Sequence, residues 1–297
     1  MKKVLVIVGP TAIGKTSLSI ELAKLFNGEI ISGDSIQVYK GFDIGSGKVS
    51  SVEMDNVKHY GIDILEPNQE YNAYIFQETN RKIIDQITND HKLPIICGGT
   101  GLYIKALLYD YTFSKHDKLD YSVYDKLTNE EIYQELEKLD PKALKVIHIN
   151  NRQRLVRALA LAHNNTLISE TKENQKHELL YDALIIGLTS DRETVYNRIN
   201  KRVEMMFEDG LEKEVLDLLK NNISFKNQAM QAIGYREFEA YFNNEITIDE
   251  VKTLIQRNSR RFAKRQYTWF NNQTNVLWFD LNKKEEIINK VKIWMEN

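Results

Sequence analysis

The residues best placed to do chemistry are Gly9-Pro10-Thr11-Ala12-Ile13-Gly14-Lys15-Thr16, a G-x-x-x-x-G-K-T spacing between the apolar run 4–8 and the helical pattern 15–26. Strand, glycine loop and helix in that order set backbone N–H groups around a phosphate at the positive end of a helix. In such a loop the lysine reaches a terminal phosphate and the threonine hydroxyl is a ligand for Mg²⁺. Gly9, Thr11, Ala12, Ile13, Gly14, Lys15 and Thr16 are therefore the expected phosphate cradle, with Thr16 as the metal ligand. A chance glycine turn would not account for Lys15 and Thr16 together. The motif leaves open which phosphates it holds.

Other residues should reach the same place, because the carboxyl ends of parallel strands share one edge of an α/β sheet. The strand 29–32 ends in Gly33-Asp34-Ser35-Ile36-Gln37-Val38-Tyr39, which puts Asp34 on the Lys15 side. Asp34 could hold Mg²⁺ through water or act as general base on a nucleophile facing the phosphates; the plain alternative is a turn or cap aspartate. The strand 93–97 runs into Gly98-Gly99-Thr100-Gly101, where Thr100 can offer its hydroxyl and the loop amides to an anion. A nucleotide hydrolase would be expected to carry an acid at the end of such a strand, yet this one ends in Cys97-Gly98. Ser190-Asp191-Arg192-Glu193 reads as a capping box that starts a helix, and Arg198 and Arg202 fall one turn apart on it. That pair can clamp a diphosphate from the side opposite Lys15. Lys48, at the end of the glycine-rich loop 41–48, could approach a ligand, although a solvated loop lysine is the commoner case.

The elements needed to position these residues follow from the remaining pattern. A short strand at 59–65, a crossover helix over 71–89 with Ile75, Ile83, Ile84 and Ile87 on one face, a strand at 183–188, a last strand at 276–279 and a helix from 283 predict an α/β fold. The class is a P-loop NTPase-like parallel sheet flanked by helices. From 112 to 177 there is no strand pattern, only helical patterns at 123–139, 141–147 and 152–163 and a polar stretch at 171–178. This reads as a helical insertion domain, 113–179, between core segments 1–112 and 180–297, with helices from 205–250 as a further contributor. Its helix 152–163 carries Gln153-Arg154-Leu155-Val156-Arg157, with Leu155 and Leu159 on the buried side; the arginines are either a solvated face or phosphate-backbone contacts.

The densest basic run is 257–270, with Arg257, Arg260, Arg261, Lys264 and Arg265, no acid, and interleaved aromatic residues. On a helix, cations can track a phosphate backbone while rings stack on bases. The alternative is a basic helix packing its rings, Phe262 and Phe270 first, on the core.

Composition narrows the classes. A chain of 297 residues can bury a full core. No apolar run approaches the roughly 18 residues of a membrane span, and Lys2-Lys3 with the run 4–8 is too short for a secretory leader. One cysteine, Cys97, excludes an internal disulfide and a cysteine zinc site, so a cytoplasmic protein is expected. The six histidines have no ligand spacing. A net charge of −2 argues against binding nucleic acid over the whole surface but leaves room for a local basic face. A monomer is the default expectation.

Taken in order, the phosphate loop, Asp34-Ser35-Ile36-Gln37-Val38-Tyr39, Asp43-Ile44-Gly45, Gly98-Gly99-Thr100-Gly101-Leu102-Tyr103, the block 153–159, Ile233-Gly234-Tyr235-Arg236 and the run 260–269 resemble the tRNA dimethylallyltransferase (tRNA isopentenyltransferase) family, from residue 4 to about 280. The resemblance implies transfer of a dimethylallyl group from dimethylallyl diphosphate to N6 of the adenosine 3′ of the tRNA anticodon. The phosphate loop then binds the diphosphate of a prenyl donor with Mg²⁺, and the missing strand-end acid is explained. Lys15, Thr100, Arg198 and Arg202 would stabilise the leaving diphosphate, and Asp34 would take the proton from N6. By the same resemblance Asp34, Ser35, Ile36, Gln37 and Thr100, with Gln153, Arg154, Leu155, Val156 and Arg157, would contact the anticodon stem-loop. Arg236, Arg260, Arg261 and Lys264 join them on charge and position.

Two departures stand out: Ile13 occupies a position where the family commonly has serine, and 119–126 lacks an arginine expected in some relatives. There is also no zinc-finger extension, so the bacterial form is the closer comparison. The rival readings are an adenylate isopentenyltransferase, a P-loop nucleotide or small-molecule kinase, and an RNA-binding module with a structural phosphate. The first has no need of a basic face of RNA size, the second would want the strand-end acid, and the third gives Asp34 and Thr100 no task.

Overall fold

Short apolar runs build the sheet of this computed structural model, which describes residues 1–113, 119–173 and 178–297, with no side chains given for 171–173. Of the polar stretch 171–178, residues 174–177 lie outside the described residues. Strands β1 (Lys3–Val8), β2 (Gly28–Ser32), β3 (His59–Tyr60), β4 (Leu93–Cys97), β5 (Asp182–Thr189) and β6 (Leu277–Asp280) pair in the order β3-β2-β4-β1-β5-β6, all parallel. Val4, Leu5, Val6, Ile7 and Val8 are all fully buried, as a central strand covered by helices on both faces requires. Register decides where the loops emerge. Ile7 and Ser32 both lie opposite Cys97, so the turns after β1, β2 and β4 leave the sheet at one level and one edge.

The chain divides into two compact units, Met1–Tyr109 with Leu179–Asn297, and Asp110–Glu178. The helices between 205 and 250 belong to the first. In that unit the 26-residue helix Ile248–Gln273 starts at a capping box of Thr247 and Glu250. It buries Val251, Ile255, Ser259, Ala263, Gln266 and Phe270, a single stripe at three- and four-residue spacing. The cations at 257, 261, 264 and 265 fall off that stripe and are exposed. The helix Arg192–Glu208 is capped by Asp191, whose carboxylate accepts from the Thr194 N–H at 2.9 Å, one residue later than the Ser190 box predicts.

In the second unit the helices Asn129–Leu139 and Arg152–His163 pack through Ile132, Leu136, Leu155, Ala158 and Leu159. The helix predicted over 123–139 is broken, because the capping box of Thr128 and Glu131 starts a new helix at Asn129. Only a short turn, Ala143–Lys145, forms where 141–147 predicts a helix, and Asp140 accepts the Ala143 N–H at 3.2 Å.

Candidate active site

The glycine turn after β1 forms as its spacing predicts. Gly9 has φ +142°, and a Cβ there would lie 2.7 Å from the Leu188 carbonyl oxygen, so only glycine lets the loop hug β5. Gly14 ends the loop in the left-handed region and opens the helix Lys15–Leu25. Ile13 turns its side chain into the core with 1 % exposure, so it can offer an anion its backbone and nothing else. A hydroxyl missing at that position removes nothing from a cradle built of amides.

The loop forms one wall of a cleft of about 480 Å³ within the first unit, lined among others by Lys15, Thr16, Asp34, Thr100, Arg202 and Gln266. Lys15 donates from Nζ to the Pro10 carbonyl at 2.7 Å. Burial lowers its pKa to about 8; the Arg202 charge pushes the same way, against the opposing pull of Cys97 and Asp34. Burial likewise lowers Arg202 and raises the Cys97 thiol. Buried cations of this kind favour an anionic ligand, whose charge would offset their desolvation.

Asp34 meets the turn reading and the site reading at once. Its Oδ1 accepts the N–H groups of Ile36 at 2.8 Å and Gln37 at 3.4 Å, closing an Asx turn. Its Oδ2 has no hydrogen-bond donor among the described residues and remains available to a substrate. The Asp34 turn is tied to the Thr100 turn through backbone bonds, Gly33 N–H to the Cys97 carbonyl at 2.8 Å and Thr100 N–H to the Gly33 carbonyl at 3.4 Å. Arg202 donates from Nη2 to the Gly47 carbonyl at 3.2 Å, and Gln37 donates to the same oxygen at 3.3 Å. A Cβ at Gly47 would fall 1.4 Å from the Arg202 guanidinium, so the arginine reaches this place only across a glycine.

Several predicted residues have other occupations. Arg198 is not among the residues lining the cleft; it is exposed and held against the phosphate loop, its Nε donating to the Ala12 carbonyl at 3.1 Å and its Nη2 beside Gly14. Lys48 is no ligand-facing lysine: it donates to the Tyr39 carbonyl at 2.8 Å and pairs with Asp43 and Asp63, its side chain 5 % exposed. Arg260 donates to Asn200 and lies over the Tyr196 ring, joining two helices. Leu155 corrects the expectation that the whole block 153–157 meets RNA: it is fully buried in the core of the second unit, and Val156 packs on that core, while Gln153, Arg154 and Arg157 are exposed. Phe270 is buried as expected, but Phe262 lines the cleft. Ser35, Ile36, Gln37 and Arg236 also line it, Arg236 being paired to Glu237 at 3.2 Å. Arg261 and Lys264 are exposed.

Sequence reasoning missed Gln266. It is 5 % exposed, donates from Nε2 to the Gly99 carbonyl at 3.0 Å, and leaves Oε1 without a partner at the cleft. The signal was present: Gln266 is a polar residue on the buried stripe of its helix, where only a hydrogen-bonding task justifies one.

No helix among the described residues is long and apolar enough to cross a membrane. No group of three His, Cys, Asp or Glu side chains among them converges into a preformed metal cage. The donors present, the Thr16 hydroxyl and the Asp34 carboxylate, suit a hard cation that takes most of its ligands from phosphate and water.

A parallel α/β core whose glycine loop, lysine, arginine and carboxylate line one cleft, with room for more than a diphosphate, defines a P-loop protein built to handle a phosphorylated substrate. Comparison with known proteins gives the family. The IPP transferase family model matches residues 37–273, and the chain belongs to that family. It is 48 % identical over 294 residues to a tRNA dimethylallyltransferase of Bacillus cytotoxicus, covering 96 % of this chain and 92 % of that protein. Among solved structures it is similar to a tRNA delta(2)-isopentenylpyrophosphate transferase of Staphylococcus epidermidis, at 42 % identity and TM-score 0.75, covering 100 % of this chain and 99 % of that one. It is also similar to a eukaryotic dimethylallyltransferase acting on tRNA, at 30 % identity and TM-score 0.83, covering 95 % of this chain and 74 % of that one.

Proposed function

We propose that this protein transfers the dimethylallyl group of dimethylallyl diphosphate to N6 of the adenosine immediately 3′ of the anticodon in tRNA. The observation that carries the reading is that Asp34, with one carboxylate oxygen taken by its own turn, lines the same cleft as Lys15, Thr100 and Arg202. As the bond between C1 and the diphosphate oxygen breaks, negative charge gathers on the leaving group. The loop amides, Lys15, the Thr100 hydroxyl and Arg202 lie where that charge develops. N6 forms the new bond to C1 and gives up a proton, which Asp34 Oδ2 accepts. Adenine N6 is a poor nucleophile because its lone pair is delocalised into the ring, and a positioned base is worth roughly 10²–10⁴-fold in rate.

Magnesium is the cation we assign to the site. When bound beside the Thr16 hydroxyl it supplies further neutralisation of the diphosphate. A target base stacked in the anticodon loop must be turned out to reach the cleft, which Gln37, Phe262 and Gln266 line together with Asp34. Gln153, Arg154 and Arg157 on the second unit, and Arg236, Arg261 and Lys264 on the first, are the assigned contacts to the anticodon stem-loop. The reading places the enzyme in the cytoplasm, as a monomer.

The test is one incubation with Mg²⁺, labelled dimethylallyl diphosphate and unmodified tRNA carrying consecutive adenines in its anticodon loop, with AMP and ATP as controls. Label on tRNA alone is the expected result. Label on AMP alone would make this an adenylate prenyltransferase, and phosphoryl transfer from ATP without prenylation would make it a kinase.

A further inference from the structure

Glu214 lies on the helix Leu211–Lys220 and does not line the cleft. Its carboxylate accepts the N–H groups of Asp43 at 3.0 Å, Ile44 at 2.7 Å and Gly45 at 3.1 Å, and the Tyr235 hydroxyl at 2.7 Å. Three successive amides turned onto one carboxylate form a nest, an arrangement that makes an anion-binding concavity, here filled by Glu214. The Tyr235 hydroxyl then accepts the next amide, Ser46 N–H, at 3.1 Å. Four consecutive backbone donors are thus satisfied by two side chains distant in sequence. The fit is close: Tyr235 is fully buried, its ring lies 4.7 Å from that of Phe42, and a Cβ at Gly45 would stand 2.5 Å from it.

The residue that follows these four is Gly47, the one whose carbonyl receives both Arg202 and Gln37. Gln37 in turn gives its backbone N–H to Asp34. We propose that Glu214 and Tyr235 are positioning residues, which clamp the loop 43–46 so that the Gly47 carbonyl holds Arg202 against the diphosphate cradle. The proposal rests on the reading of Arg202 as a diphosphate contact. A purely structural role fits the contacts less well. The two ends of the loop have further ties of their own, the Lys48 ion pairs with Asp43 and Asp63, the Ser46 hydroxyl bonded to the Phe42 carbonyl at 2.6 Å, and the Gly47 N–H donating to the Ile44 carbonyl at 2.9 Å. Loss of Glu214 therefore frees the amides of 43–45, from which Gly47 follows, and leaves the end ties in place, so it should shift the Gly47 carbonyl without unfolding the loop.

The test is a double-mutant cycle on the full chain, read as affinity for inorganic pyrophosphate by calorimetry so that no turnover is needed. Glu214→Gln turns an amide donor toward amide donors, and the lost charge-assisted bonding should weaken pyrophosphate roughly ten- to one-hundred-fold. Tyr235→Phe keeps the ring and removes the two bonds of its hydroxyl, to Glu214 and from the Ser46 N–H, while leaving the three amides on Glu214, and should give a smaller loss in the same direction; it serves as the second variant if Glu214→Gln folds poorly. In an Arg202→Ala background neither substitution should change affinity further. Equal losses with and without Arg202, or no loss in the parent chain, would overturn the proposal. Unchanged pyrophosphate affinity in Arg202→Ala alone would also overturn it, and would locate the error in the reading of Arg202.

Discussion

The low pKa of Lys15 makes binding of the prenyl donor depend on pH in a window where an ordinary lysine is silent. Unfolded, the group titrates at 10.5; in the folded chain without ligand it titrates at about 8. Between those values the unfolded chain holds a proton that the folded one has released. Lys15 therefore costs the fold stability below pH 8, and the cost is relieved as pH rises through 8 toward 10.5. At one pKa unit per 1.36 kcal/mol it approaches about 3 kcal/mol at neutral pH. A bound diphosphate reverses the balance by pairing with the charged form. Donor affinity should thus be full below pH 8 and fall about tenfold for each further pH unit, with one proton taken up on binding. The donor's own ionisation does not interfere, since the last phosphate proton leaves near pH 6. Calorimetry with a non-reacting prenyl diphosphate between pH 7 and 10, in two buffers of different ionisation enthalpy, reads both the slope and the proton. Lys15→Arg keeps a charge at every pH in this range and should flatten the profile. A flat profile in the parent chain, or an unchanged slope in Lys15→Arg, would refute the reasoning.

Other substitutions probe separate parts of the mechanism and the fold. Asp34→Asn keeps an oxygen for the Ile36 and Gln37 amides but loses the base, so kcat should fall roughly 10²–10⁴-fold with tRNA affinity kept; a change confined to KM would make Asp34 a binding residue. Reversing Arg261 and Lys264 to glutamate should weaken tRNA binding and reduce its salt slope by about 0.7–0.9 for each RNA phosphate that is no longer neutralised, measured by titration at several ionic strengths; an unchanged slope moves the footprint elsewhere. Leu155→Ala empties a fully buried position in the second unit and should cost about 2–5 kcal/mol in denaturant melts; a fall in stability too small to resolve would mean that core is loosely packed.

The parts of this protein legible in its sequence are those with local signals. The phosphate loop is written in eight consecutive residues, and the turns after β2 and β4 follow from the parallel-sheet rule, so Lys15, Asp34 and Thr100 can be brought together from the sequence alone. The insertion is legible because strand patterns stop where helical ones begin. What escapes depends on partners far apart in sequence. Lys48 reads as a loop cation until Asp63 is folded beside it, and Gln266 acquires its task only from Gly99, 167 residues earlier. The nest filled by Glu214 has no signature at all, since its donors are backbone amides. Spacing alone places Leu155 on the buried side of its helix, and that local reading outlasts the family-derived one that assigns it to RNA.

The central claim is most directly tested by incubating tRNA with the enzyme, Mg²⁺ and dimethylallyl diphosphate, then digesting one portion to nucleosides to identify the modified base by mass and another with a base-specific ribonuclease to place it by sequencing the oligonucleotides by mass. The expected product carries one five-carbon prenyl unit on N6 of the adenosine 3′ of the anticodon, with one pyrophosphate released per unit added. Unmodified tRNA with the donor consumed, or a prenyl group on any other nucleoside, would contradict it.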